Sequence, residues 1–226
     1  MIEKSRVCVL VPAYNEEKNI GRVIRQIQAL SYPVLAVDDG STDGTAGILR
    51  SSNAHFIISS DNQGKGAAIR KGLEWVLTHD YQTVVIMDAD GQHEASEIES
   101  FTQALETQNA DVVVGNRMHR PQGMPGLRRF TNRLMSGLIS GLAGQNIPDT
   151  QCGFRALTRK ALANLRLRTD RYEIESEMLL EAARKKMKIA SIPITSVYRD
   201  EISHIRPLQD TLRFLKFLFR FIFSNS

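Results

Sequence analysis

The sequence predicts an α/β fold: a single, mostly parallel twisted sheet with helices on both faces. Three observations carry this expectation. Short apolar, β-branched runs alternate with stretches of helical periodicity through the first half of the chain, the pattern of right-handed crossovers. Four consecutive runs end in clusters of polar or charged residues, as strand ends that share one ligand crevice would. The chain has 226 residues, 42% hydrophobic and 24% charged, enough for a full core and ordinary for one globular domain.

In chain order, Arg6–Pro12 reads as a buried strand stopped by its proline, with Ala13-Tyr14-Asn15-Glu16-Glu17 as the turn after it. Ile20, Val23, Ile24, Ile27 and Leu30 then recur at helical spacing. Val34–Val37 is a second strand. It runs into Asp38-Asp39-Gly40-Ser41-Thr42-Asp43-Gly44, where Ser41 or Thr42 is expected to cap the next helix. His55–Ile58 is a third strand, leading through Asp61-Asn62-Gln63-Gly64-Lys65-Gly66 into a helix that carries Ile69, Leu73, Trp75, Val76 and Leu77. Val84-Val85-Ile86-Met87 is a fourth strand, ending in Asp88-Ala89-Asp90-Gly91-Gln92-His93. A helix with Ile98, Phe101 and Leu105 follows, then a strand at Val112–Val114 ending in Gly115-Asn116-Arg117.

The second half is less regular. After a Pro/Gly loop at 119–126, Leu127, Phe130, Leu134, Leu138, Ile139 and Leu142 mark an amphipathic helix with Arg128, Arg129 and Arg133 on its other side. Asp149-Thr150-Gln151-Cys152-Gly153-Phe154-Arg155 is a polar loop entering a short strand, and a helix near Ile174–Lys186 and a strand at Ile189–Val197 come next. From Pro207 to Phe223, ten apolar residues surround a cationic stripe of Arg213, Lys216 and Arg220, a pattern suited to the membrane interface. The expected division is therefore a catalytic domain over 1–206 and an amphipathic C-terminal helix over 207–226.

Two cysteines, Cys8 and Cys152, form neither a disulfide framework nor a CxxC pair, so a reducing cytoplasmic setting is expected. The first residues lack a signal-peptide core, and no uncharged run is long enough to span a bilayer, which leaves peripheral attachment at the inner membrane face. Residues 1–112 hold 9 Lys+Arg against 16 Asp+Glu, and residues 113–226 hold 20 against 9. That asymmetry suggests a cation site in the first half and an anionic partner for the second. No nucleic acid is expected as a partner; a second copy of the chain or a membrane protein remains open.

Asp88 and Asp90 are the central candidates. Two hard oxygen ligands at a strand's carboxyl end suit Mg²⁺ or Mn²⁺ that already carries a diphosphate. Other chemistries lack their motifs: there is no G-x-G-x-x-G after the first strand, no Walker A loop, no G-x-S-x-G elbow and no histidine pair at zinc spacing.

Six ordered motifs then carry a resemblance: Pro12-Ala13-Tyr14-Asn15-Glu16, Asp38-Asp39-Gly40-Ser41, Asn62-x-Gly64-Lys65-Gly66, Asp88-Ala89-Asp90-Gly91-Gln92, Gly115-Asn116-Arg117 and Gln151-Cys152-Gly153-Phe154-Arg155. Together they resemble the family 2 inverting glycosyltransferases, above all the dolichyl- and polyprenyl-phosphate mannosyl- and glucosyltransferases. The resemblance implies a GT-A fold, a nucleotide-sugar donor and a divalent cation. It implies that Pro12, Tyr14, Glu16, Val37 and Asp39 hold the nucleoside and that Lys65, Asp88, Ala89 and Gln92 line the donor site. Asp88, Asp90 and Gln92 would hold the metal, and Arg117 would face the donor phosphates. Arg129, Arg133 and Arg155 offer guanidinium forks for an acceptor phosphate. Those relatives also carry an arginine and a Ser-Lys pair before the C-terminal segment. This chain reads Ser203-His204 there, with Arg199 or Arg206 as the arginine.

The leading expectation is transfer of a hexose, with inversion, from a donor of the GDP-mannose or UDP-glucose type to a polyprenyl phosphate. The alternative keeps the donor site but sends the sugar to a hydroxyl on a cell-surface glycan, with Asp149 as base. A non-catalytic binding module and a nucleotidyltransferase are the remaining readings.

Overall fold

The computed structural model describes residues 2–119, 123–195 and 207–223. Seven strands, β1 (Val7–Ala13), β2 (Val34–Asp38), β3 (His55–Ile58), β4 (Thr83–Ile86), β5 (Val112–Asn116), β6 (Arg155–Thr158) and β7 (Ile189–Pro193), form one sheet in the order β3-β2-β1-β4-β6-β5-β7. The helices are α1 (Ile20–Ala29), α2 (Thr45–Ser51), α3 (Lys65–Leu77), α4 (Ile98–Thr107), α5 (Gly126–Ala143), α6 (Arg159–Asn164), α7 (Ile174–Arg184) and α8 (Pro207–Phe223).

Successive residues of a strand point to opposite faces. Every residue of β1, β2 and β4 is buried, so both faces of the central sheet are covered, as the unbroken apolar runs require. β3 is an edge strand with His55 and Phe56 exposed. From β1 the chain moves outward to β2 and β3 and then returns across β1 to β4, all in parallel register. The strand order therefore reverses between β1 and β4, and the crevice at their carboxyl ends is where open α/β sheets take ligands.

β6 breaks the parallel pattern. It lies antiparallel between β4 and β5, with Arg155 opposite Ile86. That insertion carries the loop at 149–154 alongside the end of β4. β7 stops at Pro193, short of the Val197 expected from the apolar run, where its pairing with β5 also ends at Asn116. The expected cap of α2 is likewise different: Gly44 is the N-cap residue, Asp43 Oδ1 in the turn before it accepts the Thr45 N–H at 3.0 Å, and Ser41 turns to Asp38 and Asn15.

The amphipathic helix α5 is rotated relative to ordinary expectation. Its buried residues are Asn132, Ser136 and Ile139, whereas Leu127, Phe130, Leu134, Leu138 and Leu142 are exposed. In α8, Phe214 and Leu218 are buried against the protein, while Leu215, Phe219, Ile222 and Phe223 face outward. No helix among the described residues is long and apolar enough to cross a membrane.

Close packing makes one position in α3 sensitive. A Cβ at Gly72 would lie 2.2 Å from Leu10 Cδ1 and 2.8 Å from Cδ2, in the fully buried contact between α3 and β1. Gly72→Ala is expected to lower stability by about 1–3 kcal/mol, read as a reduced denaturant midpoint with unchanged slope.

Candidate functional site

The site is built where β1, β2 and β4 end. Its first wall is a pair of loops stitched together. Asn15, at φ 56°, donates its N–H to Ser41 Oγ at 2.8 Å, and its side-chain Oδ1 accepts the Thr42 N–H at 2.8 Å. Glu16 N–H donates to Thr45 Oγ1 at 2.8 Å, and Glu17 accepts the Gly44 N–H at 2.9 Å. The turn after β1 and the turn after β2 therefore form one unit, with Pro12 and Val37 buried beneath and Tyr14 and Glu16 half-buried at its rim.

Asp39 secures the next loop. Its two carboxylate oxygens accept the N–H groups of Gln63 at 3.1 Å and Gly64 at 2.6 Å. Burial pushes its carboxyl above the ordinary range, and those two donors oppose the shift. Each carboxylate oxygen has acceptor capacity beyond one hydrogen bond. The neighbouring Asp38, passed over in favour of Asp39 on sequence alone, is fully buried. Its Oδ1 takes the Ser41 N–H at 3.0 Å, and its Oδ2 has no hydrogen-bond partner.

The second wall is electrostatic. The Lys65 ammonium lies 2.7 Å from Asp88 Oδ1 and 2.7 Å from Glu175 Oε1. Burial by itself would raise the Asp88 pKa and depress that of Lys65. The facing charges outweigh it, holding the Asp88 carboxyl well below the usual carboxylate range and Lys65 above the usual ammonium range. Asp90 is pushed the other way, by burial first and then by the negative charge of Asp88, against the Gln92 N–H that donates to its Oδ1 at 2.9 Å.

His93 completes this side. Its ring is buried against Phe154 with centroids 5.0 Å apart, Nε2 is 3.8 Å from Asp88 Oδ2, and Nδ1 has no partner. Gly153 lies so close that a Cβ there would stand 2.4 Å from Asp88 Oδ2; only glycine lets the loop approach. Glu175 and His93 were not singled out from sequence. His93 lay in view within the Asp88 motif, but Glu175 is 110 residues from Lys65 and looked like one of several acids on a helix.

Asp88, Ala89, Asp90 and Gln92 lie together just past the end of β4. Among the described residues no group of three or more His, Cys, Asp or Glu could cage a metal by itself. The donor set fits a hard cation whose remaining ligands arrive with a diphosphate. Asp90 Oδ1 has a single N–H partner, and Lys65 already places positive charge against Asp88.

Three of the expected site residues are enclosed by groups of this chain. Asp149 is completely buried and forms a two-pronged pair with Arg117, Nε to Oδ2 at 2.8 Å and Nη2 to Oδ1 at 2.9 Å, while the Arg117 backbone N–H also donates to Oδ2 at 3.0 Å. Three donors on two enclosed oxygens make Asp149 a holder of Arg117. Arg117 is itself buried, and its Nε and Nη2 both donate to Asp149. Arg155 is enclosed in the same way. Its guanidinium is buried and donates to the backbone carbonyls of Cys152 at 2.8 Å, Thr150 at 2.7 Å and Glu175, tying the 149–154 loop to the first turn of α7. Arg129 and Arg133 are exposed on α5. Ser203 and His204, with Arg199 and Arg206, lie outside the described residues.

A groove of about 590 Å³ opens between α7 and α8. Arg168, Arg171, Arg213, Lys216 and Arg220 line it together with Asp170, Glu173, Glu177 and Glu181, with Phe217 and Phe221 as its apolar part. Its inner end at Asp170–Arg171 abuts the start of α3, where the Asp170 carbonyl accepts the Ala67 N–H at 3.1 Å, two residues from Lys65.

Comparison with known proteins agrees with this architecture. The family Glycosyl transferase family 2 matches residues 8–166. Over 209 residues the chain is 34% identical to Glycosyltransferase AglJ of Haloferax volcanii, covering 90% of this chain and 68% of that protein. It is 32% identical over 217 residues to the UDP-N-acetylglucosamine--dolichyl-phosphate N-acetylglucosaminyltransferase of Methanococcus voltae, with 86% of each chain covered. Among solved structures it superposes on glucosyl-3-phosphoglycerate synthase from Mycobacterium tuberculosis, in complex with Mn²⁺, uridine diphosphate and phosphoglyceric acid. The TM-score is 0.72, covering 97% of this chain and 78% of that one at 20% identity. That likeness is one of fold, and the fold is the expected GT-A arrangement.

Two variants separate holding from chemistry. Asp149→Asn is expected to lower stability by about 3 kcal/mol by leaving a buried guanidinium without its counter-charge. It should leave the shape of the pH–rate profile unchanged; loss of the acid limb would restore Asp149 as a base. Arg155→Met, which strands three carbonyls, is expected to lower stability by about 3–5 kcal/mol, measured by chemical denaturation.

Proposed function

The chain belongs to glycosyl transferase family 2 and is a glycosyltransferase, and from that premise we propose that it moves a hexose with inversion from a nucleotide sugar to a polyprenyl phosphate. The observation that carries the reading is the arrangement at the end of β4: Asp88 and Asp90 one residue apart, at the point where the strand order reverses, with Lys65 against Asp88. The loops after β1 and β2 form the nucleoside side, with Pro12, Tyr14, Glu16, Val37 and Asp39 as its contacts. Asp88, Asp90 and Gln92 are the residues that would hold Mg²⁺ or Mn²⁺ together with the donor's diphosphate oxygens. Bound there, the cation neutralises charge on the departing nucleoside diphosphate.

The bond between the sugar's anomeric carbon and the diphosphate breaks as a phosphate oxygen of the acceptor attacks from the opposite side. That oxygen is already ionised at neutral pH, so the transfer requires no protein base. The enclosure of Asp149 by Arg117 supports a phosphate acceptor over a hydroxyl for this reason. Lys65 supplies positive charge beside the leaving group and keeps Asp88 ionised. Further support comes from the name of the Methanococcus relative, which specifies a dolichyl phosphate acceptor. Peripheral attachment at the inner membrane face through the helix from 207 onward, set apart from a catalytic domain over 1–206, belongs to the same proposal, as does a role in making cell-envelope glycans.

The test is nucleoside diphosphate release with Mn²⁺ from UDP-glucose, GDP-mannose and UDP-N-acetylglucosamine, each with and without undecaprenyl phosphate in detergent. Release that depends on the lipid phosphate is expected with one donor. Chelation should stop it, and Asp90→Ala should lower turnover by about 100-fold or more. Donor binding with no lipid-stimulated release would remove the lipid acceptor.

A further inference from the structure

We propose that Glu175 sets the cation affinity of the donor site: it shares the Lys65 ammonium with Asp88, so that a divalent cation can take Asp88 and Asp90 while Lys65 keeps a counter-charge. This role rests on the donor-site reading above and on neither the sugar nor the acceptor. Lys65 Nζ lies 2.7 Å from Asp88 Oδ1 and 2.7 Å from Glu175 Oε1. One carboxylate is enough to neutralise one ammonium. Glu175 is therefore surplus charge, and it is only 9% exposed, where an unmatched carboxylate is costly. Formal charges show what the surplus matches. Asp88, Asp90 and Glu175 against Lys65 leave −2, equal and opposite to one divalent cation, and without Glu175 the count is −1.

The contact is built into the fold at both ends. Glu175 lies in the first turn of α7, and its carbonyl accepts a hydrogen bond from the Arg155 guanidinium, which also holds the carbonyls of Thr150 and Cys152. Gln151 Nε2 adds a 3.3 Å bond to Ser176 Oγ. The loop so fastened to α7 is the one that puts Gly153 against Asp88, so Glu175 and Asp88 are fixed relative to each other. On the Lys65 side, Glu177 accepts the Thr169 N–H at 2.9 Å and the Thr169 hydroxyl at 2.7 Å, and the neighbouring Asp170 carbonyl accepts the Ala67 N–H at 3.1 Å. Cβ atoms at Gly64 and Gly66 would stand 2.4 Å and 2.5 Å from the carbonyl oxygens of Asp170 and Thr169. The start of α3 is thus pressed onto the segment that α7 holds, and Lys65 and Glu175 face each other as parts of one frame.

The consequence lies in what happens to Lys65 when a cation arrives. Asp88 Oδ2 is walled by the His93 ring, with Nε2 at 3.8 Å, and by Gly153. Oδ1, which Lys65 holds, is the contact a cation would share or take over. An ammonium has three N–H donors and can be held by more than one carboxylate. With Glu175 in place, Lys65 retains a full counter-charge as Asp88 turns to the cation. With a neutral side chain at 175, Lys65 would depend on Asp88 alone, and the cation would have to compete with it. Groups standing behind metal ligands tune affinity in this way without touching the metal. Glu175 is accordingly a positioning residue that acts through Lys65, and its effect is confined to the steps in which the cation binds.

The experiment titrates the full chain with UDP and with GDP by calorimetry, in Mn²⁺ and in EDTA, with no sugar and no lipid present. Glu175→Gln keeps the shape of the side chain and an accepting oxygen, and removes only the charge. It is expected to raise the Mn²⁺ concentration for half-maximal nucleotide binding about 10–100-fold, while leaving binding in EDTA unchanged. Glu175→Asp should recover part of the loss. In Lys65→Gln, where no ammonium competes for Asp88, adding Glu175→Gln should matter much less. Wild-type Mn²⁺ affinity in Glu175→Gln would overturn the proposal. So would an equal loss in Mn²⁺ and in EDTA, which would make Glu175 a scaffold residue, or an undiminished effect in the Lys65→Gln background, which would mean that Glu175 acts on the cation directly. Binding of neither nucleotide by the wild type in Mn²⁺ is a distinct result: it would overturn the donor-site reading and this role with it.

Discussion

Two carboxylates one residue apart, at the end of a buried strand, repel each other and resist burial, and much of this structure follows from how that repulsion is met. Lys65 stands against Asp88 and reaches on to Glu175, so the start of α3, the end of β4 and the first turn of α7 are joined through one ammonium group. Among the described residues Asp90 receives the Gln92 N–H alone, and it keeps a raised pKa. The unequal treatment is chemically useful: one carboxylate is held charged by the protein, and the other is left with a preference that a cation would reverse.

The same economy governs the shell around the pair. Arg155 and Arg117, which look like available cations in the sequence, are both enclosed. One ties three backbone carbonyls together, and the other is fixed by both oxygens of Asp149. Enclosed guanidinium groups with satisfied donors fix loop geometry, because any movement exposes an unpaired charge or carbonyl to a low-dielectric interior. The 149–154 loop is held at both ends in this way, and Gly153 lets it lie against Asp88.

Helices α5 and α8 show the opposite arrangement, with apolar rows outward. In α5 the inward side, with Asn132, Ser136 and Ile139 buried, packs on α7 and on the 147–150 loop. Apolar periodicity reveals that a helix has two faces, and the contacts of the less apolar face decide which one is turned to the protein.

Much of the architecture was legible along the chain. Strand β1, with seven buried residues in succession, and the abrupt change from Ile86 and Met87 to Asp88 and Asp90 declare a buried parallel strand and its functional end, since both depend on neighbours in sequence. The six motifs named the crevice and its family. The antiparallel placement of β6, the roles of Glu175 and His93, the enclosure of Arg117 and Arg155 and the outward turn of α5 could not be read that way. Each depends on which groups meet across gaps such as the 32 residues between Arg117 and Asp149 or the 110 between Lys65 and Glu175. By itself, then, the sequence determined the alternation of elements, the ends at which polar residues gather and the chemistry available there. Which charges are neutralised, and which side of a helix is hidden, was decided only by the tertiary structure, because burial and pairing are properties of neighbours in space.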